Sequence, residues 1–251
     1  MNADPALPFE QNAGRVGEPF VIFATPVLDR ITPEYHESYL LTSLALLRAR
    51  IGHGYIKVAG DCYLGRARDK LVHNFLHGYP EATHLFFLDD DLGWPAEAVL
   101  KFLHREEDVV AGVYPQKHDE LSFPAVMDFA GEQLHIRDGL VRCLRLPTGF
   151  MMIRRHVLES LAAISPLYNY QNQDGTVDRV AELFRVGVGE GGEWYSEDYQ
   201  FCNRVRSDLG LDLWMDPEIA FTHTGRKQYS GCISASVQGF LQSRTAAEAA
   251  A

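Results

Sequence analysis

Between residues 20 and 114 the chain alternates short, continuous apolar runs with segments of helical spacing. FVIFAT (20–25), YIKVAG (55–60) and HLFFLD (84–89) have the length and composition of buried strands. Helical patterns separate them, from about Pro33 to Arg50 and from about Arg66 to Gly78. The order strand, helix, strand, helix, strand predicts a parallel sheet covered on both faces. A further unit repeats it: Pro95 stands near a helix start, Val99, Phe102 and Leu103 follow at helical spacing, and VVAGVY (109–114) is the next strand. Such sheets bind ligands at the carboxyl ends of their strands, which makes the polar residues there the first candidates for function.

From residue 120 the pattern shortens into hairpin-like runs, AVMDF, LHIRDGLVRCLRL and FMMIRR, with Asp138-Gly139 as a turn signal. This half reads as mixed and partly antiparallel. A helix near 155–164 precedes SPLYNYQNQDGTVDRVAELFRVGVGEGGEW, an irregular stretch of about 30 residues expected to be a functional or mobile loop. Helical spacing returns in SEDYQFCNRVRSDLG (196–210), and DLWMDPEIAFTHTG supplies one or two closing strands. No linker divides the chain. The expectation is one α/β domain over 20–235, with halves at 20–117 and 118–235, between weakly ordered tails at 1–19 and 236–251.

Composition narrows this without changing it. At 46% hydrophobic and 23% charged residues, intrinsic disorder is excluded. No apolar run approaches the roughly 18–20 residues needed to span a bilayer, and the N-terminal stretch lacks signal-peptide features, so a cytoplasmic location is expected. The 34 acidic residues against 23 basic give a net charge of −11, which argues against diffuse attraction to nucleic acid or an anionic membrane. An anionic small molecule would need a local cation or a metal. Cys62, Cys143, Cys202 and Cys232 form no CxxC pair, and are expected to be reduced packing residues rather than a zinc site or a disulfide framework.

Three adjacent carboxylates, Asp89, Asp90 and Asp91, follow the apolar run 84–88. Their mutual repulsion is costly unless a cation or well-placed donors neutralise it, and a divalent metal is one answer. On an extended chain Asp89 and Asp91 would point the same way and Asp90 aside. The alternative is a solvated acidic turn before a helix. Arg66, Arg68 and Lys70 lie at a helix start, where cations oppose the helix dipole; they answer either an anionic ligand or neighbouring acids. The glycines in 187–192 lack the GxGxxG spacing of a dinucleotide loop. They give hinge freedom that would let Trp194 and Tyr195 close over a ligand, or else they form a plain surface loop. Tyr168, Tyr170, Trp194 and Tyr195 either stack on sugar rings or pack the second half.

ATHLFFLDDDLGWPAEAVLKFLHREEDVVAGVYPQK resembles the Asp-x-Asp region of GT-A glycosyltransferases, particularly family-2-like enzymes. FATPVLDRITPEY is similar to their first strand and nucleotide loop, GDCYLGRARDKLVHNFL to the basic segment that follows, LPTGFMMIRR with Gly149 to the acceptor-side strand, and SEDYQFCNRVRSDLG to the Glu-Asp helix. The likeness spans roughly residues 20 to 225. It implies a GT-A-like, Rossmann-type mixed sheet flanked by helices, with a nucleotide-binding half at 20–117 and a smaller antiparallel acceptor half at 118–235. It further implies a nucleoside-diphosphate sugar donor, an acceptor of unknown identity, and Mn²⁺ or Mg²⁺ held by Asp91 with Asp89 and His223. Thr25, Pro26 and Asp61 would line the base pocket, and Arg66 and Arg68 would face the diphosphate. Asp198, with Glu197 beside it, would be the base of an inverting transfer, kept ionised by the helix N-terminus. The alternatives are plain helix capping by Ser196 for that segment and, for the whole chain, a nucleotidyltransferase or a non-catalytic sugar-nucleotide or glycan-binding domain.

Overall fold

In the computed structural model, which describes residues 18–225 and 227–239, the expected strand and helix alternation is present. The elements of the first half are β1 (Phe20–Val27), α1 (Pro33–Arg48), β2 (Gly52–Ala59), α2 (Leu64–Gly78), β3 (His84–Leu88), β4 (Leu92–Gly93), α3 (Ala98–Arg105) and β5 (Val109–Gly112). Thr32 caps α1 by accepting from the Tyr35 amide at 3.4 Å, Pro33 opens the helix, and Arg50 leaves it in the left-handed region at φ 59°.

The second half is more finely divided. Short strands β6 (Val126–Met127), β7 (Phe129–Ala130), β8 (Gln133–Leu134) and β9 (Ile136–Arg137) lead to β10 (Leu140–Arg145) and β11 (Phe150–Arg154). After α4 (Arg155–Ile164) come two hairpins, β12 (Leu167–Gln171) with β13 (Val177–Ala181), and β14 (Gly187–Val188) with β15 (Trp194–Tyr195). The chain then runs through α5 (Glu197–Leu209), β16 (Leu213–Asp216), β17 (Phe221–Thr224) and β18 (Gln228–Gly231).

The main sheet runs β2-β1-β3-β11-β5-β16-β10-β6, with β9 also on β10. Its β2, β1 and β3 are parallel, as are β5 and β16, while β11 lies antiparallel between β3 and β5. A smaller antiparallel sheet, β18-β17-β4, stands beside it. The architecture is the expected GT-A-like, Rossmann-type mixed sheet with a smaller antiparallel portion.

Alternation along the central strands sends side chains to two cores. Ile22, Ala24, Leu85 and Phe87 pack with Leu71 and Phe75 of α2, Leu161 of α4 and Phe201 of α5. Val21, Phe23, Phe86 and Leu88 pack with Tyr35 and Leu46 of α1 and Phe102 of α3.

Two expectations need correction. The stretch 165–194 is not an irregular loop: Leu167–Gln171 and Val177–Ala181 pair in register, turning at Gly175 with φ 85°. The fold also runs past 235, since residues 234–239 are helical and Val237 is buried in the core. The expected tails at 1–17 and 240–251 lie outside the described residues. Among the described residues no helix is long and apolar enough to cross a membrane.

Candidate active site

A cleft of about 310 Å³ opens at the carboxyl ends of β1, β2, β3 and β5. Its walls are Pro26, Val27 and Leu28 from the end of β1, Asp61, Cys62 and Leu64 beyond β2, and the acidic triplet beyond β3. Tyr114 and Lys117 beyond β5 and His223 of β17 complete them.

The triplet does not behave as a strand. β3 stops at Leu88, and Asp90 and Asp91 lie in a turn that the Leu92 amide closes onto the Asp89 carbonyl at 3.4 Å. The three carboxylates therefore separate, where an extended chain would have aligned Asp89 with Asp91. Asp89 accepts from Arg68 at 2.9 Å and from the Tyr114 hydroxyl at 3.3 Å. Gly149 makes this close packing possible: a Cβ there would lie 2.2 Å from an Asp89 carboxylate oxygen and 2.4 Å from the Tyr114 hydroxyl. Asp90 accepts from the Leu28 amide at 3.3 Å, and burial, with Asp91 beside it, pushes its carboxyl up to about 6.

Asp91 meets His223, whose Nε2 lies 3.2 Å from its Oδ1, and the Lys117 ammonium sits on its Oδ2. Burial raises the Asp91 carboxyl, but hydrogen bonds from His223 and Lys117 outweigh burial and hold it below its usual value. The pair is brought together by strand pairing across the smaller sheet: Leu92 faces His223 in register, and the Thr224 amide donates to the Asp91 carbonyl at 2.8 Å. Gly225 leaves room for the Lys117 stem, since a Cβ there would lie 3.0 Å from Lys117 Cδ.

His223 is oriented as a ligand histidine would be. Its Nδ1 lies 2.8 Å from the Pro115 carbonyl, which only accepts, so Nδ1 donates there and the opposite ring nitrogen, Nε2, is turned to Asp91. One carboxylate oxygen and one imidazole nitrogen thus converge, a donor set that suits a divalent cation completing its shell with phosphate and water oxygens. Asp89, expected in the same set, is turned to Arg68. Among the described residues no three His, Cys, Asp or Glu side chains are grouped to hold a metal ion by themselves.

Arg68 joins the triplet to α5. Its side chain is 2% exposed and donates to Asp89 and, at 2.5 Å, to Glu197. Burial pulls the guanidinium down, and the charges of Asp89 and Glu197 outweigh it, leaving Arg68 raised. Asp198 follows at the start of α5 and accepts from the Tyr199 amide at 2.7 Å and from the Ser196 hydroxyl. Ser196 therefore makes no side-chain cap. The expected lowering of Asp198 by the helix terminus is reversed, because burial raises its carboxyl and Glu197 adds to the effect.

The basic cluster is answered by acids of the chain itself. Arg66 makes two 2.8 Å bonds to Asp61, Arg68 is paired as described, and Lys70 is on Asp178. Burial raises the Asp61 carboxyl, but Arg66 and the Tyr63 amide bring it below its usual value. Thr25 turns into the core and bonds the Tyr35 hydroxyl at 2.5 Å, while its neighbour Pro26 faces the cleft. Trp194 is 66% exposed on β15 and is not among the residues that line the cleft. The glycine-rich stretch forms the turn of the β14–β15 hairpin, with Gly189 against the Tyr195 ring. Tyr168 and Tyr170 bond Asp69 and Asp61. All four cysteines are free thiols, two of them buried, and burial pushes Cys202 up to about 12.

Sequence reasoning missed Tyr114, Lys117 and Cys62. For the first two a signal was present: the strand-end rule that singled out Asp89 applies equally to the end of VVAGVY.

No family model matches the chain, and no curated protein matches it. Among solved structures it is similar to a glycosyltransferase involved in the glycosylation of the major capsid of PBCV-1. Identity is 12%, with 56% of this chain and 62% of that one covered, at a TM-score of 0.35. The chain thus spans less than two thirds of that structure's length. A likeness of that size leaves the activity to be argued from the cleft.

Proposed function

We propose that the cleft binds a nucleoside-diphosphate sugar with a divalent cation, Mn²⁺ or Mg²⁺, and that the protein transfers the sugar to an acceptor hydroxyl with inversion. The observation that carries this reading is the convergence of Asp91 and His223 at the strand-end cleft, with the His223 ring oriented by the Pro115 carbonyl. Asp91 and His223 would hold the cation, whose chemistry when bound would be to offset negative charge on the nucleoside diphosphate. Lys117 provides a second positive charge next to the same position. Pro26, Val27 and Leu28 offer an apolar wall to the base, and Asp61, fixed by Arg66, a hydrogen-bond acceptor beside it. Arg68 ties Asp89 to Glu197 and so places the start of α5 next to the cleft. Asp198 there accepts the proton of the acceptor hydroxyl, and burial makes it a stronger base than an exposed aspartate.

Calorimetric titration of UDP and GDP with and without Mn²⁺ tests the reading. Asp91→Ala and His223→Ala should each remove the metal-dependent part of the affinity, and the double variant should lose little more, as ligands of one ion are not additive. Equal metal-dependent affinity in parent and Asp91→Ala would refute it.

A further inference from the structure

Helix α1 presents the wrong face to solvent. Its buried side carries Tyr35, Ser38, Thr42 and Leu46, and the two hydroxyls are committed to Trp94: Ser38 accepts from its amide and Thr42 from its indole N–H, both at 2.9 Å. Its outer side carries Leu40, Leu41, Leu44 and Leu47, between 41% and 52% exposed. A helix on the surface of a domain ordinarily shows the reverse pattern, and one that is apolar on its outer side has a further surface to meet.

The spacing says what kind of surface. Leu40, Leu44 and Leu47 follow one another at four and three residues, the seam of a helix packed on another helix, with Leu41 flanking it. The charges at the ends of the seam say which helix. Glu37 lies at one end and Arg48 at the other, both exposed. When a second copy of α1 is laid antiparallel about a two-fold axis through the middle of the helix, Leu40 of each copy meets Leu44 of the other. Glu37 of each then comes to the Arg48 end of the other. A parallel pairing would set Glu37 against Glu37 and Arg48 against Arg48. A lipid surface fits less well, because interfacial helices are flanked by cations, whereas this one has Glu34 and Glu37 at one end and the protein carries a net charge of −11.

We infer that α1 is a dimerisation helix, pairing antiparallel with α1 of a second copy through Leu40, Leu41, Leu44 and Leu47. The contact is isologous, so it closes at two copies. A single helix pair is a small interface, and the dimer is therefore a reversible one that depends on protein concentration.

Sedimentation of the intact chain over a micromolar concentration series tests this. The mass should rise from 28.2 kDa toward twice that value. Leu40→Gln with Leu44→Gln should stay monomeric throughout, with the parent's melting temperature at concentrations where the parent is monomeric. Glu37→Arg and Arg48→Glu should each weaken the dimer by several fold, and the two together in one chain should restore it. This charge exchange reads out the pairing even if the leucine variant fails to fold. A monomer at every concentration, or a dimer indifferent to the leucine substitutions, overturns the inference. So does a monomer that sediments with phosphatidylserine-containing vesicles through the same leucines, which would make the partner a lipid surface. A lower melting temperature in a leucine variant of a protein that is monomeric throughout also overturns it, since the leucines would then be covered within one chain.

Discussion

Replacing Arg68 by Met tests how the two halves of the cleft are held together. The Arg68 side chain is 2% exposed, and the carboxylates it bridges, Asp89 and Glu197, retain 22% and 15%. Removing one partner of a buried ion pair costs about 3–5 kcal/mol, mostly because the charge left behind is uncompensated. Here two charges are left behind, but both carboxylates keep some contact with water, which places the expected loss near the lower figure, about 3 kcal/mol. Met fills much of the stem's volume, so the loss reports on charge more than on a cavity. Arg68→Lys should lose about half as much, since an ammonium lacks the planar fork that reaches two carboxylates at once. Urea unfolding followed by circular dichroism measures both variants. A third, Arg68→Met with Asp89→Asn and Glu197→Gln, should recover most of the stability. A loss below about 1 kcal/mol for Arg68→Met, or no recovery in the triple variant, would refute the view that this guanidinium neutralises the site from within.

Asp198→Asn keeps the side chain's size and its acceptor oxygen for the Tyr199 amide but cannot take a proton; nucleotide and metal binding should be nearly unchanged, while transfer falls by roughly 10²–10⁴-fold. Near-parental turnover in this variant, with circular dichroism unchanged, would remove Asp198 from the chemistry. Asp69 accepts from the Leu183 and Phe184 amides at 2.8 Å, and burial pushes its carboxyl from 3.8 up to about 7. The folded state thus binds the proton more tightly than the unfolded chain, so Asp69's contribution to stability is present below about pH 4 and is lost as the pH rises through about 7. Asp69→Asn preserves the acceptor without the charge, and unfolding at about pH 5 and about pH 8 should show it gaining on the parent at the higher value by up to a few kcal/mol; a parallel pH dependence in the two proteins would contradict this.

How much was legible in the sequence depended on whether local pattern or remote pairing decided the element. β1 and β3 are legible because both faces of each are covered, which leaves uninterrupted apolar runs, whereas β2, at the sheet edge and half-exposed, shows only the shorter run around Tyr55–Val58. Asp138-Gly139 marked its turn correctly, both residues lying at positive φ. Asp174-Gly175 is an equivalent turn signal, but its flanking strands mix tyrosine, asparagine and charge and show no continuous apolar side by which strands could be recognised. The antiparallel position of β11 between β3 and β5 was not readable, since its register sets Phe150 against Leu88 by contacts far along the chain. In the cleft, the Asp triplet was found but its geometry was misjudged, because strand alternation was carried one turn too far.

The charges around the cleft explain why the triplet is tolerated and what it asks of a ligand. Asp61 is answered by Arg66, Asp89 by Arg68, and Asp91 by both His223 and Lys117, while Asp90, held by the Leu28 amide, is raised by burial and by Asp91 beside it. The basic cluster that the sequence offered to an anionic ligand is thus spent on the chain's own acids, which is the cheaper solution in a protein of net charge −11. Among the described residues that line the cleft the cation is Lys117, and it lies on Asp91 together with the His223 ring. A diphosphate entering here meets no unclaimed positive charge. On the proposed function it would either draw Lys117 away from Asp91 or arrive with a cation that Asp91 and His223 would hold, and a cation on Asp91 would leave Lys117 free for the phosphates. The two steps support one another, and on this reading nucleotide and metal bind cooperatively, each weakly alone.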